Sequence, residues 1–374
     1  MQNSLFDLQN RYASLSEAGD PLERLNAVTG WPRAIDWEIF RLILARIDPT
    51  ERKSAAGRKP TCRILMFKLL ILQRLNNLSD ERLQYQVSDR LSFMRFLGLE
   101  LAGNIPDART VWVFREALKE QQLVDALFER LNQVLAGLGV ELNSGQITGW
   151  PRAIDATFVP VPIQRNGREN NALIKADAVP TGWPRAIDWG KNKAKLAQKD
   201  MDARWTKKGG QNHYGYKNHI NIDKATKLIT ASACTDASVH DSQVLDAVLR
   251  DEAEGGKEVW ADSAYRSDEQ EQSLKHSQHS SQIHERVYRN KPLTDAQELG
   301  NTEKSRVRAR VEHVFGHMEN SMGGILLRSI GAARAKVGVG LMNLSYNLAR
   351  IEVLIRTKVF DFDRVSTSGT QARA

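Results

Sequence analysis

Cysteine is nearly absent: Cys62 and Cys234 are the only two in 374 residues. Lying far apart, they support neither a disulfide framework nor a Cys-based zinc site, and a reducing, cytoplasmic setting is expected. Long apolar runs are missing too. None approaches the ~18 residues that a membrane span requires, so no membrane partner is expected. The opening Met1-Gln2-Asn3-Ser4 lacks the basic-then-apolar pattern of a secretory signal. Acidic residues are outnumbered, 45 Asp and Glu against 53 Lys and Arg, for a net charge of +8. That excess suits a polyanionic partner, because each cation set on a phosphate releases counterions, although many basic proteins bind no nucleic acid. With 41% hydrophobic and 26% charged residues, the composition is globular and fits one large or two medium domains.

One octapeptide, Thr-Gly-Trp-Pro-Arg-Ala-Ile-Asp, occurs three times: Thr29 to Asp36, Thr148 to Asp155 and Thr181 to Asp188. Two copies also share the next residue, Trp37 and Trp189. Structural repeats diverge and keep an even spacing; these copies are identical and unevenly spaced, as a short inserted DNA repeat would be. They are expected to be tolerated surface insertions, with Gly-Trp-Pro forming turns.

Residues 1–145 read as helical. Ile64 to Leu75 is a strongly apolar helix following the punctuation Gly57-Arg58-Lys59-Pro60. Ser79 is placed to cap the next helix, with Asp80 and Glu81 suiting its N-terminal end. Leu83, Val87 and Leu91 would form one buried stripe on it. Further helices are expected from Thr110 to Leu118 and from Leu123 to Leu138. Short helices across a turn are compatible with a helix-turn-helix and equally with a generic bundle. From Pro151 the texture becomes strand-helix alternation. Ala156 to Val161 reads as a strand, followed by a basic irregular stretch through Lys199, Arg204, Lys207 and Lys208. Tyr214 to Ile222 and Leu228 to Ala233 read as a hairpin, Asp241 to Leu249 as a helix, Glu258 to Ala261 as a short strand, and a long helix begins near Thr302. Residues 360–374 are expected to be a disordered tail.

Two strands present an aspartate at an edge: Asp155 before Ala156, and Asp262 after Ala261. The later helix presents Glu312, with Arg308 one turn before it on the same face. Val307, Val311, Val314 and Met318 form the neighbouring apolar stripe, which would pack on the sheet and leave Glu312 at its margin. Three converging carboxylates raise one another's pKa unless cations neutralise them. Oxygen-only ligands favour Mg²⁺ or Mn²⁺ over zinc, and two such ions suit in-line displacement at phosphorus. Each element also has a plainer reading: a strand-end aspartate as a turn residue, and an Arg–Glu pair at spacing four as a solvated helix face.

Six segments in order carry a resemblance. They are Asp155-Ala156-Thr157, Gln198 to Lys208, His213 to His219, Thr235 to Gln243, Trp260 to Ser267, and Arg308 to Gly316 continuing to Gly324. In these the chain resembles DDE transposases of the insertion-sequence-five type, over most of 151–357, and its helices from Arg63 to Leu118 resemble that family's leading domain. The resemblance implies an α/β ribonuclease-H-like catalytic core, a mixed sheet flanked by helices, over 146–359, preceded by an all-α DNA-binding domain over 1–145. It implies Asp155, Asp262 and Glu312 as catalytic metal ligands for two Mg²⁺ or Mn²⁺ ions, with Arg308 orienting the glutamate or holding a phosphate. His240 and Asp241 either border that site or cap a helix. Lys199, Arg204, Lys207, Lys208, Lys217, Tyr265, Arg266 and Arg310 are the candidate DNA contacts. The partners implied are the element's terminal inverted repeats and target DNA, bound by a homo-oligomer, with nucleoid association when DNA is bound. The resemblance departs at Pro151-Arg152-Ala153-Ile154, where the second octapeptide replaces an expected longer apolar strand and a proline suits only a strand edge or start. Two alternatives follow: an inactive copy that binds the ends as a repressor, and a ribonuclease-H-like nuclease without a joining step.

Overall fold

A computed structural model describes residues 7–29, 35–48, 61–101, 103–137, 152–162, 200–249, 258–287 and 292–359. The third octapeptide, Lys199 and the C-terminal tail lie outside these residues. The chain forms two compact units, Met1–Ser144 with Gly340–Ala374, and Gly145–Val339.

The first unit is helical. Its elements are α1 (Asp7–Glu17), α2 (Pro21–Thr29), a run of short turns from Trp37 to Ile47, α3 (Arg63–Leu75), α4 (Asp80–Asp89), α5 (Leu91–Leu97), α6 (Ala108–Glu120) and α7 (Leu123–Gly137). Local chemistry sets the boundaries. Ser79 Oγ accepts from Arg82 N (3.2 Å) and Asp107 Oδ1 from Thr110 N (2.6 Å), each satisfying an otherwise orphaned first-turn donor. The stripe expected over Leu83, Val87 and Leu91 is broken: Arg90 is extended (φ −105°, ψ 115°), so Leu91 opens α5 instead. Gly98, at φ +72°, ends α5 in the left-handed conformation that glycine adopts without Cβ strain.

The described end of the first octapeptide reaches the core. Its Ile35 is buried, its Asp36 caps the Trp37–Phe40 turn, and the adjoining Trp37 sits against Phe67 and Phe96 at ring separations of 6.1 and 5.9 Å. Lys68 Nζ lies over the Phe96 ring at 4.7 Å, and burial pushes its pKa down to about 8. The last helix, α10 (Ala332–Arg356), joins this unit from Gly340 onward and buries Leu341, Leu344, Leu348 and Ile351. The sequence boundary had grouped 340–359 with the catalytic region instead. Residues 341–348 of this helix are buried all round, polar positions included, so no single apolar face points to one partner rather than another.

The second unit is built on one mixed sheet. Its strands are β1 (Arg152–Pro160), β2 (Arg204–Lys208), β3 (Gln211–Asp223), β4 (Ile229–Asp236), β5 (Glu258–Trp260) and β6 (Ser280–Ser281). β1 is central, antiparallel to β3 and parallel to β5, with β6 parallel beyond β5. The long β3 pairs along its other edge first with β2 and then with β4. An antiparallel meander joined to parallel strands, flanked by α8 (Asp268–His276) and α9 (Asp295–Asn320), is a ribonuclease-H-like arrangement.

Several expectations are revised. The segment read as basic and irregular contains β2, which turns into β3 through Gly209 and Gly210 at φ +58° and +82°. Positive φ at both positions is what a two-residue hairpin of matching twist needs. β1 begins at Arg152 rather than Ala156, so Asp155 lies inside the strand, opposite Ile220. The second octapeptide thus supplies part of the central strand. Its Ala153 and Ile154 are fully buried, Ile154 in a cluster with Val244, Leu245, Val248 and Val259. Asp241 to Leu249 is a 3₁₀ turn followed by a single α-turn rather than one regular helix. The long helix starts at Asp295, ahead of Thr302, behind a capping box of Thr294 and Gln297.

Candidate active site

Asp155 is held by the middle of β1 and is 7% exposed. Its Oδ1 accepts from Ala156 N (2.8 Å), and its Oδ2 faces Arg308 Nη1 at 3.3 Å. Burial pushes its pKa up to about 6, with the charge of Asp262 acting in the same direction and Arg308 and Lys208 opposing. A carboxylate so placed is short of positive charge.

Asp262 follows β5. The parallel register that sets Ala153 beside Trp260, continued two residues, brings Asp262 level with Asp155. Its Oδ1 accepts from Ala264 N (2.7 Å), capping the turn Ser263–Tyr265. Glu312 sits on α9, whose buried Val311, Val314 and Met318 seat that helix, and α9 packs against β1 and β5. Arg308 Nη2 donates to Glu312 Oε1 at 2.8 Å, so one guanidinium joins Glu312 to Asp155. Of the three expected carboxylates, Asp155 and Glu312 thus share Arg308, and Asp262 lies level with Asp155 beyond the neighbouring strand. They do not close on a common point: among the described residues no three His, Cys, Asp or Glu side chains are near enough to share one metal ion. The donors are all oxygen, and the desolvated Asp155 beside a second aspartate fits a hard divalent cation. Glu312 is engaged by Arg308 and joins such a site only by leaving it.

Around this margin the other expected residues divide. His240 caps the Asp241–Val244 turn, accepting from Ser242 N, so the capping reading applies to it. Asp241 is buried and paired with Lys217 Nζ at 2.8 Å. Lys217 also donates to Val239 O (2.7 Å) and lies over Phe158, which removes it from the surface available to DNA. Tyr265 is fully buried and cannot touch a DNA end either. Arg204 donates to the Met201 carbonyl (2.6 Å), and Arg266 to Glu285 (2.8 Å) and the Ile283 carbonyl. Lys207, Lys208 and Arg310 are exposed, Arg310 donating to Lys224 O at 3.0 Å.

Sequence reasoning missed the Lys217–Asp241 pair and the stack of Phe158 on His213, with centroids 4.0 Å apart. It also missed buried Asp200, which accepts from Tyr216 Oη (2.8 Å), Ala203 N and Gly331 N. Each joins residues distant in sequence, where no local pattern signals a contact.

A meander-plus-parallel sheet with one aspartate within its central strand and a second just past the neighbouring parallel strand fits the ribonuclease-H-like class. Within it, the Transposase DDE domain family matches residues 148–348, and the Transposase domain (DUF772) family matches residues 10–117. The chain belongs to the DDE transposases of the insertion-sequence-four and -five type. Among solved structures, the piggyBac transposase synaptic complex with hairpin DNA is similar at 13% identity over 93% of this chain and 79% of that one, with a TM-score of 0.41. At that distance the likeness carries no weight.

Proposed function

We propose that this transposase cleaves the DNA ends of an insertion sequence and transfers them to target DNA, with Asp155, Asp262 and Glu312 as its catalytic carboxylates. One observation carries the reading: Arg308 reaches Asp155 and Glu312 together, while Asp262 follows the strand beside Asp155. Held by these carboxylate oxygens, two Mg²⁺ or Mn²⁺ ions would supply an activated water or 3′-hydroxyl and stabilise the leaving oxygen. Asp155 contributes a carboxylate whose burial strengthens its demand for positive charge. Arg308 presents a planar fork that engages carboxylates here and matches phosphate oxygens equally well. Exposed Lys207 and Lys208 on β2, with Arg310 on α9, offer counter-ions to the DNA backbone.

Recognition of the terminal inverted repeats is assigned to the helical unit, and pairing two ends calls for at least two copies of the chain. The test uses plasmid DNA carrying the element's ends, with Mg²⁺ present. Asp262→Asn and Glu312→Gln are expected to abolish nicking while gel-shift binding of the ends persists. Loss of binding in both variants would remove the carboxylates from the metal role. End binding without nicking by the unaltered chain would favour an inactive, repressor-like copy, a reading supported by the engagement of Glu312 with Arg308. Nicking without joined products would favour a simple nuclease.

A further inference from the structure

Two 3₁₀ turns, Asp241–Val244 and Ser263–Tyr265, pack against each other beside the carboxylates. Tyr265 is fully buried at this junction, its ring among Ile154, Val244 and Val259. The phenol hydroxyl has no hydrogen-bond partner among the described residues. A buried hydroxyl without an acceptor is costly, and a phenylalanine would fill the same apolar space without that cost. The charges bearing on this hydroxyl are all acidic: Asp241, Asp155 and Asp262. Asp241 is already paired with Lys217 at 2.8 Å, and Asp155 accepts from Ala156 N and Arg308, which leaves Asp262, engaged through Oδ1 alone, as the acceptor with an open oxygen.

The turn also ties the ring to the site. Tyr265 N donates to Asp262 O at 3.1 Å, and Asp262 Oδ1 accepts from Ala264 N at 2.7 Å. Aspartate and phenol therefore sit on one short hydrogen-bonded segment and move together.

We propose that Tyr265 is a positioning residue, its hydroxyl donating to the carboxylate oxygens of the Asp155–Asp262 pair and fixing their orientation when that pair takes up a divalent cation. The inference rests on the carboxylate reading above and adds to it a donor supplied from the core side. In metal sites such supporting donors set ligand direction, and their removal weakens cation affinity by roughly 10–100-fold.

Tyr265→Phe tests it, with Mn²⁺ binding followed by electron paramagnetic resonance and thermal unfolding followed with and without Mg²⁺. Without metal, the variant is expected to unfold at the same temperature as the parent or higher, since an orphaned donor has been removed. Its Mn²⁺ affinity is expected to fall roughly 10–100-fold, its Mg²⁺-induced rise in unfolding temperature to shrink, and its nicking to recover at high Mg²⁺. Equal Mn²⁺ affinity in parent and variant would overturn the role of Tyr265 and leave the carboxylate reading standing. A metal-free variant that unfolds at lower temperature would also overturn it, by showing that the hydroxyl serves the fold. A parent chain that binds no Mn²⁺ would instead sink the carboxylate reading itself.

Discussion

Asp155 shows how one buried side chain couples pH to stability. Burial raises its folded pKa from 3.8 to about 6, so protonation favours the folded state. The resulting stability is fully present below pH 4 and is lost as pH rises through 6. Two pKa units correspond to about 3 kcal/mol. Metal-free urea unfolding should therefore show the parent losing about 3 kcal/mol relative to Asp155→Asn between pH 4 and pH 7.5. Parallel pH profiles for the two proteins would contradict this. Buried His219 acts with the opposite sign. Its pKa is pushed down to about 4 by burial, so its contribution is present above pH 6.5 and is lost as pH falls through 4. It is common to both proteins and cancels in the comparison. At this scale the three carboxylates and Arg308 were legible as residue types at telling positions. The pairing of Lys217 with Asp241 and the burial of Tyr265 were not, because each depends on a partner far along the chain.

Among the elements, the octapeptides are the most instructive. Identical sequence suggested dispensable insertions, yet the copy ending at Asp36 places Ile35 in the helical core, and the copy ending at Asp155 forms the start of β1. Ile154→Ala should then cost about 2–4 kcal/mol, as expected for deleting methyl groups from a filled cluster. Chemical denaturation would measure it, and a change near zero would restore the surface-insertion reading. Helix ends were readable wherever a cap is written locally, as at Ser79 and Asp107. β2 escaped because Arg204, Lys207 and Lys208 mask its alternation, although Gly209-Gly210 ahead of a readable strand was the available clue. β3 could be read as a strand, but its Gly215 at φ +143° could not be foreseen. A side chain there would run into the Val159 backbone, so only glycine lets β1 and β3 approach so closely.

For the molecule as a whole, the last helix decides the organisation. Residues from Gly340 group with the N-terminal helices, and Glu352 pairs with Arg24 at 3.2 Å. Truncation after Val339 should therefore expose the helical unit. Limited proteolysis would be expected to cut within α2 to α7 in the truncated chain and spare them in the parent. Equal resistance would mean that the helical unit closes without α10. No helix of the described residues is long and apolar enough to cross a membrane, in line with the missing apolar runs. The sequence by itself determined the helical-then-mixed order, the family likeness and the identity of the acidic residues, because composition, caps and motif order are local properties. Only the tertiary structure decided that an octapeptide builds the central strand, that Arg308 spans two carboxylates and that the final helix returns to the first unit. Register and packing between distant segments depend on the burial that neighbours provide, and no short window of sequence contains those neighbours.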